Sequence, residues 1–413
     1  MNSRSTRYEL RKYSMNSSHA TIARLSALAL LALGLTSCRS HDFPQYPPNY
    51  REYAYVTNGG SGTVSVLDVV NVRVDRELAV GQNPVAVAVS PTRNEVYVVN
   101  SGAAGSQGSI SVINAENNTV SGAITVHRQP VSIEIDPTGQ LAYVANSGSN
   151  TISVVDLKAR REIAAIGAGE EPVAARLSAD GKTLAVANRK AGSVSLIDPA
   201  AGRVRQVFEG CPGAADAVIL TDSSKVFVAC AGGHQIMVIS LARAASGPEK
   251  TPGSKGEPRP AQPDRLEALL DVGQAPLRLA LKPDGGELFA VNSLSNSISE
   301  IINNTNDVSS ATVIGENPVS GLVSADNSML FVANLRSQYV TVYAIDEGKR
   351  MGSIHVGDGP SAMAFSSSGL LLFAVDSRSN DLAVVRAGTR SLFTLIPTGR
   401  APNAISVKAF KLP

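Results

Sequence analysis

Tyr143-Val144-Ala145-Asn146 (YVAN) is one copy of an element that the chain carries eight times. The other copies begin at Tyr55 (YVTN), Tyr97 (YVVN), Ala185 (AVAN), Phe227 (FVAC), Phe289 (FAVN), Phe331 (FVAN) and Phe373 (FAVD). Their first residues are spaced by 42, 46, 42, 42, 62, 42 and 42. A second landmark, Gly-x-x-Pro, runs sixteen residues ahead of the copy that follows it. It occurs at Gly81/Pro84, Gly169/Pro172, Gly273/Pro276, Gly315/Pro318, Gly357/Pro360 and Gly399/Pro402. His127/Pro130 and Cys211/Ala214 keep the register with one or both positions changed. A period in the forties, built from short alternating runs, predicts an all-β ring of sheets, a β-propeller, and not a solenoid of helices.

The stretch from Pro130 onward shows what one unit builds. Val131, Ile133 and Ile135 alternate with Ser132 and Glu134, the period of a strand. Asp136-Pro137-Thr138-Gly139 is a tight turn, since Pro fixes φ and Gly accepts a positive one. Leu141 to Asn146, Thr151 to Asp156 and Glu162 to Ile166 are the second, third and fourth strands. Four short antiparallel strands make a blade that cannot bury both faces alone, so the blades need one another. The first unit, Tyr53 to Val80, lacks a first strand, and the last segment, Pro402 to Ala409 (PNAISVKA), is a first strand alone. Sharing one blade between the two termini leaves no sheet edge open. The count with that composite blade is eight, with seven as the alternative if one weak unit folds irregularly.

These residues resemble the YVTN-type β-propeller repeat family of bacterial and archaeal envelope proteins, over roughly residues 53 to 409. The resemblance implies a propeller in an extracytoplasmic setting. It implies no catalytic residue that can be carried to a position of this chain, and members commonly have seven blades.

The formal charge of +2 misrepresents the ring. Residues 1–37 hold five basic side chains against Glu9, and without them 32 basic and 34 acidic residues remain. There is no Trp, and aromatics are 5%. A basic stripe and stacking platforms are both missing, so no nucleic-acid partner is expected. Arg24 precedes the apolar run Leu25 to Leu35, too short to span a bilayer and suited to a signal-peptide core. The run ends in Leu35-Thr36-Ser37-Cys38, which resembles a bacterial lipobox. Residues 1–37 are therefore expected to be a lipoprotein signal peptide and Cys38 the lipidated N-terminus. Residues 38–52 follow as a Pro-rich tether, and 53–413 form the propeller. The expected location is the bacterial envelope, held by lipid in the outer membrane and facing the periplasm or the cell surface.

Two further cysteines, Cys211 and Cys230, replace the Gly of Gly-x-x-Pro and the Asn of the fifth tetrapeptide. Both fall at one end of that blade, where a disulfide is open to them if the loop carrying Cys211 curls back; two buried thiols are the alternative. The step of 62 marks an insertion at about 244–264, rich in Pro, Gly, Ser and charge, on the face opposite the Gly-x-x-Pro loops. It reads as a surface insertion or as a partner-binding arm.

First strands line the central channel, and four charges stand on them where small residues prevail. Glu134 and Arg176 align at one level, Asp216 and Arg278 at the next. The order acid, base, acid, base fits an ion network between blades, or a polar ligand site at the channel mouth. His127, His234 and His355 form no ligand pair, no Cys pair has zinc spacing, and no nucleophile elbow or calcium loop occurs. The recurring Asn residues are expected to bond backbone at strand ends. No cofactor is called for. The chain reads as a membrane-anchored binding or scaffold propeller for an unidentified protein or small ligand. The alternative is a lactonase-type hydrolase with a metal-dependent site at the channel mouth.

Overall fold

A computed structural model describes residues 46–243 and 261–412. The expected signal peptide at 1–37, Cys38 and residues 244–260 of the insertion lie outside the described residues. Thirty-two strands, β1 to β32 in chain order, form eight four-stranded antiparallel sheets, with no helix among the described residues. The inner strands are β32 (Pro402–Lys411), β4 (Pro84–Val89), β8 (Pro130–Ile135), β12 (Pro172–Leu177), β16 (Ala214–Ile219), β20 (Pro276–Leu281), β24 (Pro318–Val323) and β28 (Pro360–Phe365). Each touches the inner strand of the blade on either side, so they close a ring around the channel. We number the blades one to eight in that order.

The first blade is composite. Its order is β3 (Arg73–Ala79), β2 (Thr63–Asp68), β1 (Tyr50–Asn58), β32. The β1–β32 ladder runs from Tyr50↔Lys411 to Asn58↔Pro402 and joins the two ends of the propeller. The sheet thus begins at Tyr50, and Tyr50 to Glu52, expected in the tether, belong to it. Glu52 explains the shift. It is wholly buried and accepts hydrogen bonds from Ser367 N (2.6 Å), Ser367 Oγ (2.8 Å) and Tyr50 Oη (2.9 Å), which pins the chain to the eighth blade. The insertion is shorter than expected at its far end. Asp264 is buried and takes a two-pronged bond from Arg205 (Nε 2.6 Å, Nη2 2.8 Å) and one from Ala242 N (2.7 Å). A fixed carboxylate with three donors closes the loop there.

The tetrapeptides lie on the second strands, covered on both faces by neighbouring blades. Tyr55, Tyr97, Phe227, Phe289, Phe331 and Phe373 are among the largest fully buried side chains. Burying each contributes about 1.5–3 kcal/mol relative to exposure. The core is therefore spread around the ring between blades.

The last residue of the tetrapeptide and the Gly of the Gly-x-x-Pro loop that leads into its blade form a clasp. Each Asn amide donates to a hydroxyl on the third strand: Asn58 to Ser65 (2.9 Å), Asn100 to Ser111 (2.9 Å), Asn146 to Ser153 (2.8 Å). Asn188 to Ser195 (2.9 Å), Asn292 to Ser299 (3.0 Å) and Asn334 to Thr341 (2.9 Å) complete the set. The expected backbone bonds are secondary to these. The Gly beside the amide has no room for a side chain. A Cβ at Gly81, Gly315 or Gly399 would stand 2.6 Å from an atom of Asn100, Asn334 or Asn58. Between that Gly and the Pro, the chain turns through a left-handed residue in every blade, whether Gly213 and Gly359 or Asn83, Gln129, Glu171, Ala275, Asn317 and Ala401.

The fifth blade solves the same contact covalently. Cys211 and Cys230, both fully buried, are joined in a disulfide with Cα atoms 4.8 Å apart. Pro212 and Gly213 form the turn that curls Cys211 back, closed by Ala214 N donating to Cys211 O (3.1 Å). The bridge spans a sequence separation of 19, for which loop-closure entropy gives about 3 kcal/mol.

Candidate functional site

The inner strands carry mostly small or apolar residues two and four positions after the Pro: Ala86, Ser132, Ala174, Ser320, Ala362 and Ala404 at one level, with Ala88, Val218, Ala280, Leu322, Ala364 and Ser406 at the next. Ala174 and Ala280 are buried in the core between blades. The four exceptions are Glu134 on β8, Arg176 on β12, Asp216 on β16 and Arg278 on β20.

Three of the four converge. Arg176 Nη2 donates to Asp216 Oδ1 at 3.1 Å, and its Nη1 stands 4.0 Å from Glu134 Oε2. Nη1 also donates to its neighbour Ala175 O at 3.1 Å. The second Asp216 oxygen accepts Leu279 N at 3.2 Å, so this carboxylate ties three consecutive blades together. The Asp216 side chain is 6% exposed, against 29% for Glu134 and 35% for Arg176. Asp216 is thus a fully engaged structural anion, while Glu134 and Arg176 keep a face toward the channel. The tight pair is diagonal, joining Arg176 to the next level of the next blade. The level pairing of Glu134 with Arg176 is the looser one.

Burial pushes the Glu134 carboxyl above its ordinary range; the Arg176 charge and a backbone hydrogen bond from Leu177 oppose that rise only in part. The 4.0 Å gap to Arg176 is too long for a hydrogen bond. Arg278 stays out of the network. It is exposed, its guanidinium donates to Leu277 O at 3.3 Å, and it pairs with no carboxylate among the described residues. An exposed guanidinium keeps its hydration and its own backbone contact, so the expected pairing with Asp216 does not form.

The histidines lie elsewhere. His127 turns outward to Glu162 (3.3 Å), His234 Nδ1 accepts Ala275 N (3.2 Å), and His355 meets Gln338 (3.2 Å). Among the described residues no three His, Cys, Asp or Glu side chains come together as a metal site. A cleft of about 960 Å³ opens on the opposite face, at the root of the insertion, lined by Asp180, Lys182, Arg205, Asp222, Arg243 and Gln262. Its strongest ion pair, Arg205 with Asp264, is satisfied internally. The channel site therefore carries the more available chemistry.

Residues 53–168 match the family model described as lactonase, 7-bladed beta-propeller. The match covers less than half of the chain, and the ring has eight blades. No curated relative matches the chain. Among solved structures, the chain is similar to a dihydro-heme d1 dehydrogenase, NirN, at 14% identity and TM-score 0.67, covering 88% of this chain and 76% of that one. A 6-phosphogluconolactonase candidate from Bacteroides uniformis is 15% identical, with TM-score 0.57 over 87% of this chain and 99% of that one. Hydrazine synthase of Kuenenia stuttgartiensis is 21% identical, with TM-score 0.53 over 80% and 91%. At these identities the likeness is one of fold.

Proposed function

We propose that this chain binds a small, oxygen-rich ligand in its central channel and that the ligand is a lactone, opened there by water. The observation that carries the proposal is Arg176, held by Asp216 and facing Glu134 across 4.0 Å in a wall of small side chains. Opening a cyclic ester needs a base for the attacking water and a cation for the oxygen charge that develops on the carbonyl. Glu134 fits the first role. It is half-buried, carries no side-chain partner as tight as the Asp216 pair, and has a raised pKa, which brings a carboxylate closer to the range of an effective base. Arg176 fits the second, with its planar fork oriented by Asp216. Arg278 has a guanidinium free for an anionic group on the ligand. The partial family match supports the choice of lactones.

Proton release from a panel of γ- and δ-lactones, followed with a pH indicator, tests this. Glu134→Gln is expected to lower the rate at least about 100-fold, the usual contribution of a positioned base. The wild-type rate should rise with pH through a midpoint above the ordinary carboxylate range, since only the ionised carboxylate accepts the proton. A Glu134→Gln variant as fast as wild type sinks the assignment of the base. The second reading, a binding propeller without turnover, rests on the uncommitted Arg278. It is favoured if no lactone turns over while aldonic acids raise the melting temperature in an Arg278-dependent way.

The setting we propose is the bacterial envelope, with Cys38 lipidated after removal of residues 1–37, and with the YVTN-type family as the nearest description of the repeats. A protein partner held at the ring's faces belongs to the same proposal. Cys38→Ala is expected to move the protein from the membrane fraction to the soluble fraction, read by fractionation of whole cells. A variant processed and sedimenting like wild type would falsify the lipid anchor.

A further inference from the structure

The clasp between tetrapeptide and loop occurs eight times, and the eighth copy is chemically unlike the rest. Six blades use Asn with a Ser or Thr on the third strand, and the fifth uses a disulfide. In the eighth blade Asp376 replaces the Asn, and the hydroxyl position seven residues on is Ala383. The residue directly across the hairpin is Asp381, where the other blades carry Thr63, Ser109, Thr151, Ser193, Gln235, Ser297 and Tyr339. Two carboxyl groups therefore meet where an amide donor and hydroxyls meet elsewhere.

The geometry leaves them little choice of charge. Asp376 is wholly buried, and its Oδ2 accepts Gly357 N at 2.9 Å. Oδ1 of Asp376 and Oδ1 of Asp381 are both buried with no donor from the protein. Both side chains press on the same glycine: a Cβ on Gly357 would lie 2.3 Å from Asp381 Oδ1 and 2.7 Å from Asp376 Oδ2. Like charges placed directly opposite on a hairpin repel, and two carboxylates at such a site cannot both ionise cheaply. We propose that Asp376 and Asp381 share one proton, so that the eighth clasp is a pH-sensitive latch on the blade next to the ring closure.

The surroundings supply no cation to do the proton's work. Asp358, on the preceding loop, adds a third negative charge; its own partner is Arg378 at 3.9 Å, both half exposed. Of the strands packed on the pair, β28 and Ser391–Pro397 carry no titratable side chain. On β32, which packs on the strand of Asp376, Lys408 donates to Ser90 O and Lys411 stands at the far end, opposite Tyr50. Arg386 stands at the far end of its strand from Asp381. His355, at the end of the neighbouring outer strand, turns to Gln338 and Tyr339. Burial first, then the hydrogen bond with Asp381, pushes the Asp376 carboxyl up to about 8.

The sign follows from linkage. A carboxyl whose folded pKa lies above its unfolded value gives stability that is complete below the unfolded pKa and lost as pH rises to the folded one. The folded-to-unfolded ratio should fall by up to about tenfold per pH unit, from about pH 4 to about 8, and then level off. Urea unfolding of the intact protein from pH 5 to 9 tests this against Asp376→Asn. That variant restores the residue six other blades carry, and its amide can donate to Asp381, so it is expected to fold. It should lose about one proton's worth of slope, so that its advantage over wild type grows to about 100-fold or more between pH 5 and 8. A protonated-carboxyl carbonyl band in the infrared at pH 6, absent from the variant, is the second expected result. Equal slopes in the two proteins overturn the latch. So does a calcium- or sodium-dependent gain of wild type at pH 9 that the variant lacks, since a cation would then fill the site.

Discussion

A chain ending at Arg400 is expected to lose cooperative folding altogether. The truncation removes β32, which is the inner strand of the first blade and also the seam of the ring. Its loss deletes the ladder from Tyr50↔Lys411 to Asn58↔Pro402 and strips β1 of its inner partner. The contacts that β32 makes sideways go with it. Asn403 accepts Thr57 Oγ1 (2.6 Å) and donates to Pro84 O (3.0 Å), and the buried Lys408 ammonium donates to Ser90 O (2.7 Å). Each inner strand packs between two others, so removing one exposes apolar faces on both sides as well as an edge. The expected loss exceeds about 5 kcal/mol, comparable to the whole stability of many domains. Circular dichroism and size-exclusion chromatography should find aggregated or partly unfolded material in place of a sharp monomer. Adding a peptide of residues 401–413 during refolding should restore a fraction of folded protein, because folding and strand binding then occur together and the peptide supplies the missing ladder. A truncated protein that melts like the full chain would mean that the closing strand contributes little.

That seam was legible in the sequence because a propeller writes its architecture as spacing. The steps of 42 fix the blade, the turn residues fix its strands, and a first unit without a first strand must borrow one. The beginning of the sheet was less legible. Tyr50 and Glu52 sit in a Pro-rich stretch, and only the buried bonds from Ser367 and Tyr50 reveal that the stretch is already structural. The clasp was half legible. Its Asn and Gly recur visibly, but the hydroxyl acceptors lie across a hairpin, at Ser65, Ser153, Ser195, Ser299 and Thr341, seven residues on. That spacing is in the sequence and would have turned a general expectation of strand-end bonding into a specific one. With the four extra residues of the second blade allowed for, it would also have marked Met237 and Ala383 as the two places where the pattern breaks, which are the blades of the disulfide and of the paired aspartates.

The channel charges show where alignment by level stops working. Counting from the Pro placed Glu134 beside Arg176, as though side chains met only at equal height. An extended Arg side chain reaches about as far as two residues of strand rise, roughly 6–7 Å. Arg176 therefore meets Asp216 one level away as readily as a neighbour at its own level. The shorter and better buried contact prevails, because a carboxylate that is 6% exposed needs its cation more than one that is 29% exposed.

Arg176→Ala is accordingly expected to destabilise the ring by about 3–5 kcal/mol at pH 7, the range for stripping one partner from a buried pair. Asp216 would keep only the Leu279 amide, with a full charge left between three blades. Glu134→Ala should cost under about 1 kcal/mol, since its contact with Arg176 is long and partly solvated. The double replacement Arg176→Ala/Asp216→Ala should recover much of the loss, because it removes the stranded anion together with its cation. Urea midpoints for wild type, these three variants and the single Asp216→Ala replacement measure this as a coupling energy. A single Arg176→Ala no worse than Glu134→Ala would show that Asp216 is not held by that guanidinium. The contrast also separates structure from chemistry at the site. Glu134→Gln should leave stability almost untouched and remove lactone opening, whereas Arg176→Ala should damage both. Arg176→Lys keeps the charge but loses the fork, so it should fold better than the Ala variant and still orient the ligand poorly. Asp216 is thus the acid that needs its guanidinium partner, whereas Glu134 is the acid the ring can spare, and as the more exposed of the two it is the one a ligand can reach.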